Sequence, residues 1–171
     1  MQAAIAHIGA KLGFRIWVPR SDRQIILGLI PDSKCGSFLD ELPLNYDDLT
    51  LRTIEQIDVI WMKNHSMARA FEVEQTTAIY SGLLRMADLL ALQPNMDIRL
   101  HIAAPIERRE KVRHEILRPT FSLLEGRPLY KMCSYLPYSA IEEIDSLPHL
   151  EYMNQSVIEK YEESFVEEEE I

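Results

Sequence analysis

The sequence predicts an α/β domain built on a mixed β-sheet flanked by helices. Three observations carry that expectation. Residues 57–62, 69–75 and 98–102 are short, mostly apolar or alternating runs, the pattern of sheet strands. Only a short polar link containing Lys63, Asn64 and His65 separates the first two, so they can pair antiparallel. Between the second and third lies the helix-like run 78–92, a crossover that brings the chain back parallel and right-handed.

The elements follow in order. Residues 3–12 are alanine-rich with apolar residues at helical spacing, and Gly13 supplies a stop, which predicts a first helix. Residues 14–18 alternate and end at Pro19, a strand leading into a polar turn at 20–23. The stretch 25–30 is expected as a strand or as irregular chain. Gly36, Pro43, Asn45 and the pair Asp47 and Asp48 mark 31–53 as a long connection with a single helical turn. Strands 14–18, 57–62 and 69–75 then form an antiparallel meander. Thr76 or Thr77 can cap helix 78–92, in which Ile79, Leu83, Met86, Leu89 and Leu90 recur at three- and four-residue intervals before Pro94. Ile98, Leu100 and Ile102 alternate with Arg99 and His101 in a strand at 97–103. A charged helix at 107–118 ends at Pro119, a core strand spans 129–136, and helices are expected at 140–147 and 151–161.

Length and composition set the scale. At 171 residues and 47% hydrophobic content the chain suits one domain with a real core, expected over 1–150, with 151–171 as a C-terminal helix and acidic tail. No apolar run is long enough to cross a bilayer, and the first residues lack the charged start and apolar centre of a signal peptide. A cytoplasmic protein that enters no membrane is the expectation. The short lead into the first helix also permits a piece of a longer parent protein, with additional domains that recognise the target. Cys35 and Cys133 stand alone, so neither a disulfide framework nor a zinc site is indicated.

The net charge of −9 is unevenly spread. Residues 151–171 carry eight Glu against one Lys, a net of −7 that leaves −2 for the first 150 residues. Glu167 to Glu170 reads as a solvated end. The body is close to neutral and holds a basic cluster at Arg108, Arg109, Lys111, Arg113 and Arg118. That cluster could contact phosphate, although the interleaved Glu107, Glu110 and Glu115 favour a salt-bridged solvent face.

The chemistry concentrates in Arg69-Ala-Phe-Glu-Val-Glu-Gln. As a strand it throws Glu72 and Glu74 onto one face and Phe71 and Val73 onto the other. Two like charges held side by side ask for a cation, a proton or open solvent. Asp58, in the apolar run Ile57-Asp-Val-Ile-Trp, is depleted in strands by propensity, and antiparallel pairing could bring it to the same spot. A solvated strand face would explain the alternation equally well, and a sheet edge open to water would explain Asp58.

That element order, with Asp58 on the second strand and Glu72-Val-Glu74 on the third, resembles the core of the PD-(D/E)XK nuclease superfamily, the restriction-endonuclease-like fold. The resemblance covers residues 3–135 in element order and, as a motif, Asp58 with the Glu72–Glu74 pair. It implies that Asp58 and Glu72 bind Mg²⁺, with Mn²⁺ as an alternative, and that the backbone carbonyl of Val73 assists. Hard Mg²⁺ prefers carboxylate oxygen, keeps several waters and lowers the pKa of one for in-line attack on phosphorus. The sequence departs from the family at Glu74, which stands where a Lys is usual; some restriction enzymes resemble it, with Glu as a base or a further metal ligand. Arg85 or Lys63 could supply the missing positive charge. Gln75 points away from Glu74 in alternation and is a poorer candidate.

The resemblance implies a Mg²⁺-dependent DNA endonuclease in restriction, repair or mobile-element defence, with Asp58 and Glu72 on the metal and Glu74 orienting or deprotonating water. Cutting both strands of a duplex would call for a homodimer. The alternative is a catalytically inactive domain of the same fold that binds a protein partner, and a third reading is a small α/β enzyme unrelated to DNA. Other candidates carry less. His65 is expected in a turn, His101 as a polar-face partner of Arg99, and Trp17 and Trp61 as strand residues before base-stacking ones.

Overall fold

The computed structural model describes residues 1–74, 79–93, 95–122 and 127–166. The expected cap at Thr76 or Thr77, Gln75, the Pro94 stop and the acidic run 167–170 lie outside these. Helix α1 (Gln2–Lys11) leads through Gly13, at φ 86°, into β1 (Arg15–Trp17). Next come α2 (Arg20–Leu27), α3 (Asp32–Cys35) and α4 (Asp48–Glu55). The central unit is β2 (Val59–Lys63), β3 (Ser66–Val73), α5 (Ile79–Leu92) and β4 (Arg99–Ala104). After a 3₁₀ turn at Ile106–Arg108 come α6 (Arg109–Ile116), α7 (Pro119–Ser122), α8 (Leu129–Met132), β5 (Cys133–Pro137) and α9 (Tyr138–Asp145). Two further 3₁₀ turns, Leu150–Tyr152 and Gln155–Lys160, precede β6 (Glu163–Ser164).

The described strands form one sheet in sequence order, β1 to β6. β1, β2 and β3 are the expected antiparallel meander. β4 then pairs parallel with β3, and β5 parallel with β4, as the crossover helix requires. β6 closes the far edge antiparallel to β5. At the other edge, residues 37–39 pair with Ile16 through Ser37 O and Leu39 N, so β1 is covered rather than open to a second chain.

Helices cover both faces. Ile60, Met62, Ala70, Leu100 and Ile102 point to the side holding Ile54, Leu83, Met86, Val112 and Ile116, under α4, α5 and α6. Val59, Trp61, Phe71, Ala103 and Leu136 point to the side of α1 and α9. Parallel pairing with crossover helices buries both faces of a sheet. This is why His101, expected on a polar face, is fully buried. Trp17 and Trp61 are buried too, their indole N–H groups donating to Glu55 O and Ile5 O, so neither is available to stack on a base.

Several expected elements differ. The polar turn at 20–23 and the strand or irregular chain at 25–30 are replaced by α2, which Pro19 initiates and which stops at Gly28; proline before the first turn suits a helix start. The single turn in 31–53 is the short α3 plus the two-turn α4. Asp47, read as a loop residue, caps α4 by accepting from Thr50 N at 3.0 Å and Thr50 Oγ1 at 2.7 Å. The first residues of the expected strand 129–136 form α8. The expected helix at 151–161 is two 3₁₀ turns.

A polar network ties the C-terminal segment to the sheet. Arg69, on β3 and 1% exposed, donates Nη1 to His101 Nε2 at 3.1 Å, and its other nitrogens reach Gln155 and Glu159. An Nε2 that accepts leaves the proton on Nδ1, which faces Ser134 Oγ at 2.7 Å and Glu162 Oε2 at 3.2 Å. Burial, the largest cause, keeps His101 neutral. Hydrogen bonds from His101 and Ser134 hold Glu162 down at about 2. A carboxyl depressed from 4.5 to about 2 gives stability that is fully present above 4.5 and lost as pH falls through about 2. Glu162→Gln is expected to cost about 1–3 kcal/mol at neutral pH. Thermal unfolding of variant and parent should converge as the pH is lowered across that window.

Candidate active site

Asp58, Glu72 and Glu74 meet at the C-terminal end of β3, on the face covered by α5. Antiparallel pairing of Val59 with Phe71 places Asp58, one residue ahead of β2, opposite Glu72. The alternation is as expected. Phe71 and Val73 pack toward α1 and α9, while Glu72 and Glu74 turn under α5 and are buried, not solvated.

What lets α5 lie over two carboxylates is Gly82. A Cβ there would stand 2.7 Å from Glu74 Oε1, and 3.1 and 3.2 Å from Glu72 Cβ and Cγ. One helical turn further on, Arg85 forks onto Glu72, with Nε to Oε1 at 2.9 Å and Nη2 to Oε2 at 2.6 Å. The Glu72 side chain is 1% exposed and that of Arg85 29%. The fork is therefore anchored on a sealed carboxylate by a side chain that reaches solvent. Of the two cations considered from sequence, Arg85 is the one at the site. Lys63 sits at the far end of the β2–β3 hairpin, roughly 13 Å along the strand from Val59.

Val73 N–H, beyond the end of β2, donates to Asp58 Oδ2 at 2.7 Å. In extended chain the N–H and C=O of one residue point to the same side, so the Val73 carbonyl is directed to the Asp58 side as well. Glu74 N–H instead joins the sheet through Ala103 O, and its carbonyl accepts from Tyr138 Oη at 3.0 Å. Tyr138, at the start of α9, is a neighbour that the sequence reading did not single out.

The electrostatics are those of crowded, buried acids. Burial raises Glu72 to about 7; the Arg85 fork opposes this, and Asp58 and Glu74 add to it. An ion pair alone would have depressed Glu72, so desolvation and like charge outweigh the guanidinium here. Burial also raises Asp58, against the Val73 N–H and Arg85, and raises Glu74, where Asp58 adds to it and Arg85, Arg108 and Lys111 oppose it. The start of α6 thus presents cations to the site. The rest of the basic cluster is engaged elsewhere, Arg109 forking onto Glu163 and Arg118 reaching Glu115 at 2.8 Å while lying over the Tyr80 ring.

The donor set of three carboxylates and a backbone carbonyl is all hard oxygen, the chemistry Mg²⁺ and Mn²⁺ prefer. In the observed arrangement, however, no group of three or more His, Cys, Asp or Glu among the described residues is placed to hold a metal ion. Both Glu72 oxygens are in the Arg85 fork and one Asp58 oxygen is on Val73 N–H. His65 lies at the hairpin tip and His101 in the C-terminal network, so neither joins the site. Cys35 and Cys133 are free, and burial keeps the Cys133 thiol protonated.

The mixed sheet, its flanking helices and the buried acids at one strand end define an α/β domain of restriction-endonuclease-like architecture. The model of the type II restriction enzyme NmeDI C-terminal domain matches residues 1–168, and the chain belongs to that family. It is 33% identical over 174 residues to the type II restriction enzyme NmeDI of Neisseria meningitidis serogroup C, an alignment that takes in 98% of this chain. The chain spans about half, 48%, of that relative's length. No solved structure matches it significantly. Among the described residues no helix is long and apolar enough to cross a membrane.

Two outcomes are expected. Gly82→Ala would add about 1 kcal/mol of helix propensity, but the methyl group meets Glu72 and Glu74, so the variant should melt below the parent. Glu72 is raised from 4.5 to about 7, so its contribution to stability is present below 4.5 and lost as pH rises through about 7. The melting temperature of Glu72→Gln relative to the parent should therefore climb across that interval, by an amount equivalent to about 3 kcal/mol. A flat difference would refute the burial assigned to this carboxylate.

Proposed function

We propose that this chain is a PD-(D/E)XK-type nuclease domain that hydrolyses DNA phosphodiesters with Mg²⁺, Mn²⁺ serving as a substitute, in restriction. The observation that carries the reading is the meeting of Asp58, Glu72 and Glu74 at the end of β3, in a chain whose family is that of a type II restriction enzyme domain. Asp58, Glu72 and the Val73 carbonyl would hold the cation. Once bound, it would supply charge neutralisation at the phosphate and an acidified water.

The protein's own groups supply the rest. Glu74, whose proton affinity burial and Asp58 raise above that of a free carboxylate, is shifted in the direction that general-base catalysis needs. It would take the proton of the attacking water; the new P–O bond replaces the bond to the leaving alkoxide, which receives a proton from solvent. Arg108 and Lys111, at the rim beside Glu74, would hold the flanking phosphates. Target recognition and the partner subunit for a double-strand cut are assigned to parts of a longer parent protein and to a second copy of the chain.

A second reading has two observations in its favour: the fork of Arg85 on Glu72 and Glu74 in place of Lys both suit a domain that keeps the fold without the chemistry and binds a protein partner. Plasmid and oligonucleotide cleavage at varied Mg²⁺ or Mn²⁺ separates the two. Asp58→Ala and Glu72→Ala are each expected to lose at least ~100-fold in rate. Cleavage indifferent to both would remove the proposed site, and a folded parent that neither binds metal nor cuts would leave the second reading. Because ligands must be deprotonated, metal affinity should rise with pH through about 7, where Glu72 ionises. Calorimetric titration of the ion at several pH values checks this.

A further inference from the structure

We infer that Arg85 is a place-holder for the metal: it occupies Glu72 while the cation is away, leaves that carboxylate when the cation binds, and is handed to the substrate phosphate. The inference rests on the nuclease reading above and deepens it.

Four observations lead there. Arg85 engages both oxygens of Glu72 through a planar fork, at 2.9 and 2.6 Å. Each oxygen keeps a further lone pair, but a guanidinium and a divalent cation on one carboxylate would repel, so the two occupants are alternatives. Second, Asp58 and Glu74 act as like charges on Glu72, so the carboxylate that the fork holds is one of three neighbouring acids. Third, a carboxylate that is 1% exposed is costly to leave bare, and the counter-ion that stands on it here is Arg85. Fourth, Arg85 is 29% exposed while its partner is sealed, so the arginine, unlike Glu72, borders solvent. Gly82, one turn earlier, keeps α5 close enough for the fork to form.

Released, the guanidinium would remain tethered beside the site by α5, within reach of a phosphate bound there. Its fork fits two phosphate oxygens as it fits two carboxylate oxygens. One side chain then serves both states, and its contribution to DNA binding exists only when metal is bound.

The test uses the parent chain, Arg85→Met, Arg85→Lys and Lys111→Met, each checked for folding by thermal unfolding. Mg²⁺ and Mn²⁺ are titrated by calorimetry without DNA, and a hydrolysis-resistant duplex is bound with and without the ion. Arg85→Met is expected to bind the ion about 10-fold more tightly than the parent. Arg85→Lys keeps the charge but not the fork and should fall between; it carries the comparison if the Met variant does not fold. Lys111→Met removes a nearby charge that is not on Glu72 and should change affinity by less than about 3-fold. Duplex binding by Arg85→Met should weaken only in the presence of the ion. Equal ion affinity in parent and Arg85 variants, with a parent that cuts, overturns the place-holder and leaves the nuclease reading standing. Equal tightening by Lys111→Met also overturns it, since bulk charge would then suffice. No ion uptake and no cleavage by any folded protein overturns both.

Discussion

The constraint on which the proposed site of this molecule depends is the burial of Glu72. It stands on β3, between β2 and β4, with α5 across its face. A carboxylate in such a place has two ways to avoid the cost of an isolated buried charge: it binds a proton or it takes a counter-ion. Glu72 is poised between them, raised to about 7 while paired with Arg85. Each neighbouring feature serves that poise. Gly82 sets how close the helix comes, Arg85 provides the cation, and Asp58 and Glu74 supply the like charge that weakens its hold.

The opposite end of β3 is built for rigidity by related means. Arg69 is as deeply buried as Glu72, but its carboxylates, Glu159 and Glu162, come from the C-terminal segment together with Gln155. Here the acid is depressed instead of raised, because His101, Ser134 and Arg69 all favour its charged form and no like charge crowds it. The contrast is one of balance: where donors outnumber acids the network is closed and fixed, and where acids outnumber cations the site is left wanting charge. The strand that carries the proposed site gains from such an anchor, since the carboxylates of a working site must be held within about 0.5 Å of its geometry.

Much of this was legible in the sequence. Alternation placed Glu72 and Glu74 on one face, the short polar link paired β2 with β3, and the run 78–92 set the parallel crossover. Period alone could not say what covers a face. Glu72 reads the same in solvent as beneath a helix, and His101 looks polar until helices lie on both sides of β4. The helices in 20–55 were masked by turn residues that serve as caps, Pro19 and Asp47 among them; Asp47-x-x-Thr50 followed by Leu51 and Ile54 was the signature to find. Arg85 was also within reach. It flanks the buried stripe Ile79, Gly82, Leu83 and Met86 and so lies beside the sheet, while Lys63 in a hairpin tip points away from any site at the strand's other end.

Relative to the nuclease pattern that the sequence resembles, Glu74 in place of lysine changes the charge of the proposed site by two, and the surroundings answer that change in part. Arg85 neutralises one carboxylate; Arg108 and Lys111, from the start of α6, act on Glu74 at longer range. Beside the Glu72–Arg85 pair, Asp58 and Glu74 leave the cluster with more acids than cations, an imbalance that protons or an added cation can relieve. Burial has already raised all three acids toward the first remedy. A divalent ion would supply the second, and by displacing a bound proton or Arg85 it would convert stored electrostatic strain into selectivity: the site would close on metal only when a cation outcompetes the groups already there. The substitution that looks most damaging to a nuclease therefore increases the site's demand for the ion on which such an enzyme would run.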